Sequence, residues 1–99
     1  MASEEAGRIR VRVVYRGRVQ GVGFRFTALQ ISGNFDVSGY VRNLPDGSVE
    51  LEAEGAPATV DAFLESVADR LASSIRAQDR QTLPAASEIH TAAAFDIRL

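Results

Sequence analysis

The 99-residue chain contains no cysteine. That absence excludes a disulfide framework, a thiolate nucleophile and any cysteine-based zinc or iron–sulfur site, so stability must come from packing. Histidine is almost as scarce. His90 is the only one, and it lies in a Ser- and Ala-rich stretch with no partner at ligand spacing, which reads as a solvated loop residue without a role. No apolar run approaches the roughly 20 residues that span a bilayer. The opening residues MASEEAG are short and acidic rather than basic then apolar. A soluble, cytoplasmic protein that makes no membrane contact is expected. Positive charge is not in surplus either: 11 basic residues face 13 acidic ones, a formal net charge of -2. That balance argues against a sequence-independent grip on nucleic acid, which rests on neutralising phosphates.

What is present suits one small domain, with 45% hydrophobic residues and no internal repeats. Residues 1–7 are expected to form a flexible N-terminal segment and residues 8–99 the domain, a monomer. Ile9, Val11, Val13 and Tyr15 alternate with Arg8, Arg10, Arg12 and Val14, the period of a half-buried strand. Phe24, Ala28, Ile31 and Phe35 then recur at spacings of four, three and four, as on one helix face. Val37 to Asn43 reads as a second strand, followed by the turn signal Pro45-Asp46-Gly47. In the third strand Val49, Leu51 and Ala53 alternate with Glu50, Glu52 and Glu54, which predicts one buried face and one acidic, solvated face. Pro57 suits a first helical turn, and Val60, Phe63, Leu64, Val67 and Leu71 carry a helix to about Ala72. Ile75 to Leu83 is a weaker strand, residues 84–93 a surface loop, and Phe95, Ile97 and Leu99 a last strand. The order β-α-β-β-α-β predicts an α+β, ferredoxin-like two-layer sandwich, an antiparallel sheet with two helices on one face. Phe24, Phe26, Phe63 and Phe95 are expected in its core. Arg8, Arg10 and Arg12 fall on the solvated side of the first strand.

Chemistry is best sought in Gly17-Arg18-Val19-Gln20-Gly21-Val22-Gly23-Phe24-Arg25, which joins a strand to a helix and carries three glycines. Glycines let backbone N–H groups converge, and the helix start behind them adds unpaired donors and a partial positive charge. Such a site favours phosphate. Arg25 adds a planar fork that matches two phosphate oxygens. The bland alternative is a flexible connector with an exposed arginine. A P-loop is excluded because Phe24 follows the final glycine, and a dinucleotide fingerprint because Phe26 stands where a small residue is needed. Gly21-Val22-Gly23-Phe24-Arg25-Phe26 is also similar to part of an RNA-binding motif, but that motif belongs on a third strand, not before a first helix.

Two stretches together carry a resemblance. Gly17-Arg18-Val19-Gln20-Gly21-Val22-Gly23-Phe24-Arg25 resembles the first signature of the acylphosphatases, and Gly39-Tyr40-Val41-Arg42-Asn43-Leu44-Pro45-Asp46-Gly47-Ser48-Val49-Glu50 resembles the second. The resemblance covers residues 8 to about 70, with Phe95-Asp96-Ile97-Arg98 similar to the family's last strand. It implies the same fold and an enzyme that hydrolyses acyl phosphates. By that resemblance Gln20, Gly21, Val22, Gly23, Phe24 and Arg25 hold the substrate's phosphate, Arg25 is the essential arginine, and Asn43 holds the attacking water. Tyr40 stands where the family often has Trp, Ala28 with Thr27 beside it replaces a common Thr, and Asp36 sits where Gly is common. Residues 73–94 match poorly.

The residues near these motifs include no Cys, no His and no clustered carboxylates, so water is expected to attack phosphorus directly, with no cofactor and no metal. A carboxylate leaves without a strong general acid, and positioning with charge stabilisation supplies most of what phosphoryl transfer needs. Asn43 can orient water but is too weakly basic to take its proton. Inorganic phosphate is the expected product and competitive inhibitor, and a small-molecule acyl phosphate the only expected partner. Three readings stay open, in this order: an acyl phosphate hydrolase, a non-catalytic phosphate-binding module of the same fold, and an RNA-binding domain.

Overall fold

Apolar side chains at every second position of the first strand must find a common surface, and the rest of the chain supplies it. The computed structural model describes residues 7–84 and 94–98. Its strands are β1 (Ile9–Gly17), β2 (Ser38–Asn43), β3 (Val49–Gly55), β4 (Ile75–Leu83) and β5 (Phe95–Arg98), and its helices are α1 (Phe24–Ser32) and α2 (Pro57–Arg70). They form one sheet in the order β4-β1-β3-β2-β5. α1 carries the chain from β1 past β3 to β2, and α2 carries it from β3 past β1 to β4, so the two crossovers interlock. Val11, Val13 and Tyr15 of β1, Val49 and Leu51 of β3, and Val41 of β2 are fully or almost fully buried. They pack with Phe24, Ala28 and Ile31 of α1 and Val60, Phe63, Leu64 and Val67 of α2 in one core. Among the described residues no helix is long and apolar enough to cross a membrane.

The expected two-layer sandwich is present, with one departure in pairing. β1, β2, β3 and β4 pair antiparallel, but β5 joins the outer edge of β2 in parallel, Gly39 opposite Phe95 through Arg42 opposite Arg98. Phe95 closes the core there, meeting Phe63 edge-on at 5.2 Å. α2 ends at Arg70, a little short of expectation. β4 has the expected limits and is exposed along nearly its whole length, as an edge strand can be when its side chains are polar. The expected loop from residue 85 onward, with His90, lies outside the described residues.

The open face of the sheet corrects the sequence reading. Glu50 and Glu54 are buried, not solvated, at 2% and 5% exposure. The register decides this, because β1 sets Arg12 opposite Glu52 and Arg10 opposite Glu54. The long arginines reach along the face. Arg8 pairs with Glu54 at 3.6 Å, Arg10 with Glu52 at 3.8 Å, and Arg12 Nε donates to Glu50 at 2.5 Å. From β2, Arg42 Nε donates to Glu50 at 2.6 Å, and the Tyr40 hydroxyl lies 3.1 Å from both Glu50 and Glu52. Arg98 of β5 covers the Tyr40 ring at 4.1 Å. Guanidinium stems shield the carboxylates from water while their heads stay partly wet. Burial alone would raise the Glu50 carboxyl, but hydrogen bonds from Arg12, Arg42 and Tyr40 outweigh it and hold that carboxyl below its ordinary range.

Candidate active site

The glycine-rich loop is fixed at both ends. Val19 is fully buried, so the chain dips into the core after β1 before turning out again. Phe24 opens α1, is buried, and packs on Tyr15 with ring centroids 4.9 Å apart. Between these anchors Gly21, Val22 and Gly23 are exposed. Gly21 and Gly23 have φ of 79° and 80°, a left-handed conformation that strains any residue with a β-carbon. A β-carbon at either position would meet nothing within 4 Å. Conformation, not crowding, therefore calls for glycine there, and the space beside the loop is open.

That loop ends on an uncapped helix. Gly23 is the N-cap of α1 and brings no side-chain hydrogen bond, and the first turn has no acidic residue. The first amides of a helix have no partner inside it and carry the positive end of its dipole. Here they suit an anion. Arg25 stands in that first turn, half-buried, and makes no ion pair or hydrogen bond among the described residues. Tyr15, beneath the loop, is fully buried and its hydroxyl finds no partner among the described residues. Burial pushes that hydroxyl up against the opposing charge of Arg80, so it stays protonated.

Asn43 reaches the same end of the sheet from β2. Side chains alternate along a strand, so it shares the helix-covered face with fully buried Val41, while Tyr40 and Arg42 take the open face. Tyr15 pairs with Val49 and Val49 with Asn43, which makes one row across three strands, about 10 Å from end to end at ordinary strand spacing. Gln20 bridges the remaining gap. Its Nε2 donates to the carbonyls of Leu44 and Ser48, each at 2.8 Å, and so ties the loop to the turn that follows Asn43.

The turn itself makes no use of Asn43. Asp46 accepts from the Ser48 N–H at 3.0 Å and its hydroxyl at 2.5 Å, and Leu44 N–H donates to the Ser48 carbonyl at 2.9 Å. The hydrogen bond from the Ser48 side chain is the main reason the Asp46 carboxyl lies below its ordinary range. The Asn43 carboxamide, half-buried, makes no hydrogen bond among the described residues. Arg25, Asn43 and the backbone of Gly21, Val22, Gly23 and Phe24 are thus gathered at one end of the sheet, two side chains with unused hydrogen-bonding capacity beside an uncapped helix start.

Gln20 was expected to hold phosphate through the loop backbone; its side chain is committed to the hairpin, which leaves its backbone N–H for that role. Neither periodicity nor spacing signals that clamp, since its acceptors lie 24 and 28 positions away. Phe26 was expected in the core and is 60% exposed. Phe24 already takes the core-facing position, and two residues later the helix has turned roughly 200°.

The family model described as Acylphosphatase matches residues 11–97. The chain belongs to the acylphosphatase family. An acylphosphatase of Anaeromyxobacter dehalogenans is 52% identical over 59 residues, which are 60% of this chain and 63% of that protein. One from Methanospirillum hungatei is 42% identical over 60 residues, 61% of this chain and 66% of the relative. The chain therefore matches somewhat less than two thirds of the length of these curated relatives. The crystal structure of acylphosphatase from Bacillus subtilis superposes with a TM-score of 0.78 at 27% identity, covering 92% of this chain and 99% of that one.

Proposed function

We propose that this chain hydrolyses acyl phosphates by direct attack of water on phosphorus, without a metal ion. Family membership supports the activity, since the relatives bear the name acylphosphatase. The observation that carries the mechanism is the Gln20 bridge, which ties the loop leading to Arg25 to the turn that follows Asn43, while neither the Arg25 nor the Asn43 side chain makes a hydrogen bond or ion pair among the described residues. In this reading the loop amides and Arg25 hold the phosphoryl oxygens and neutralise their charge. Asn43 orients one water in line with the leaving group. The water oxygen bonds to phosphorus, the bond from phosphorus to the acyl oxygen breaks, and its electron pair leaves with the carboxylate. The water's proton passes to a phosphoryl oxygen or to solvent, because Asn43 is not a base and Tyr15 is buried and protonated. In this reading charge stabilisation falls to Arg25 and the loop amides.

Incubating the purified chain with benzoyl phosphate in excess chelator tests this reading. The expected result is release of benzoate and inorganic phosphate, with added phosphate inhibiting competitively. Activity abolished by chelator and restored by a divalent cation would overturn the mechanism, and no hydrolysis under either condition would overturn the activity.

A further inference from the structure

Phe26 and Val22 are the exposed large hydrophobic side chains among the described residues, 60% and 41% exposed. Both lie on the ten-residue stretch that forms the phosphate cradle and its helix start, Val22 between the two left-handed glycines and Phe26 one position after Arg25. An exposed aromatic ring at the third position of a helix has no evident structural use. An acidic residue would be favoured there by the helix dipole, and α1 has none in that turn. Side chains on a helix lean toward its N-terminus, so the Phe26 ring covers surface on the loop side of its own Cα. Val22 sits on that loop. A phosphoryl group held by the loop amides would have these two apolar side chains among the exposed neighbours of its acyl substituent.

We propose that Phe26, with Val22, forms an apolar seat for the acyl group and gives the chain a preference for acyl phosphates with aromatic or other bulky apolar acyl groups over acetyl phosphate. The inference rests on the hydrolase reading above and adds the substrate class. Two side chains are too small a patch to serve as a protein interface, which needs several hundred Å² on each partner. They are enough to cover one face of a benzoyl ring.

The test compares kcat/KM for benzoyl phosphate and acetyl phosphate in the wild-type chain, Phe26→Ala and Phe26→Leu. Comparing the ratio between variants removes the intrinsic difference in reactivity of the two compounds. Phe26→Ala should lower the benzoyl-to-acetyl ratio about fivefold, or ~1 kcal/mol, chiefly through KM for benzoyl phosphate, and Phe26→Leu should lower it less. Inhibition should follow suit, with phenylphosphonate losing more affinity than methylphosphonate in Phe26→Ala. An unchanged ratio in a folded Phe26→Ala that still turns over both compounds would overturn the acyl seat and leave the hydrolase reading standing. A wild-type chain that hydrolyses neither compound would overturn both.

Discussion

On the open face of the sheet Arg10, Arg12 and Arg42 each meet a carboxylate, whereas at the loop end Arg25 meets none among the described residues. All eleven basic residues of the chain are arginines, so the contrast is one of placement and not of side-chain chemistry. On the face, donors and acceptors consume one another. Glu50 accepts from Arg12, Arg42 and Tyr40, and little is left for a ligand. At the loop end the reverse holds, because an uncapped helix start lies beside a guanidinium and a carboxamide that have no hydrogen-bond partner among the described residues. Committed polar groups hold the fold together, and uncommitted ones at a helix start mark where a ligand can bind.

The sharpest way to break this contrast is to remove the uncommitted arginine. Arg25→Ala should lower kcat/KM for benzoyl phosphate at least about a thousandfold, ~4 kcal/mol of transition-state stabilisation, and weaken inhibition by phosphate. Its thermal melt should barely move, because no hydrogen bond or ion pair among the described residues is lost. Steady-state kinetics beside a melt decides it, and near-normal turnover would put Arg25 in the same class as the face arginines. Asn43→Ala should cost about a hundredfold in kcat, ~2.7 kcal/mol, with the inhibition constant of phosphate nearly unchanged. Equal losses in kcat and phosphate affinity would make Asn43 a phosphate contact.

The committed face should answer in stability instead. Glu50→Gln should cost ~1–2 kcal/mol, since it weakens three hydrogen bonds to a charged acceptor whose donors remain partly solvated, while kcat stays as it was. Glu50 also gives the contrast a pH signature. Its carboxyl is held below the ordinary value when folded, so its stabilisation is present above the unfolded pKa, about 4.3, and is lost as pH falls through the folded value. Denaturant melts from pH 7 to pH 3 should show stability falling at the acid end, with a shallower fall in Glu50→Gln. Gln20→Ala joins the two regions and has the smallest effect on stability, ~1 kcal/mol for two hydrogen bonds to the turn. Turnover should fall with it, because the loop is no longer tied to the segment that carries Asn43.

Much of this protein was legible along the chain. Alternation in β1 and β3 and the three-and-four spacing in α2 follow from local geometry, and each apolar set is buried as its period predicts. The loop was legible for a similar reason: Gly21 and Gly23 adopt conformations that other residues avoid, so their presence signals the backbone shape. Period alone could not tell that the glutamates of β3 are buried, because that depends on which strand lies alongside and in what register. Nor could it tell that β5 adds in parallel at the edge of β2.

The sequence by itself determined the elements and the glycine-shaped loop, and its resemblance to the family singled out Arg25 and Asn43, the residues proposed to hold phosphate and water. Tertiary structure alone decided which polar groups are free. The Arg–Glu array forms because antiparallel pairing sets β1 beside β3, and the Gln20 side chain is committed because the β2–β3 turn folds up against it. Phe26 shows the same division, since helical period makes it either a core residue or an exposed one, and the choice fell to Phe24 once it had packed on Tyr15. A side chain's type is a local property, but whether its hydrogen bonds are already taken depends on neighbours tens of residues away.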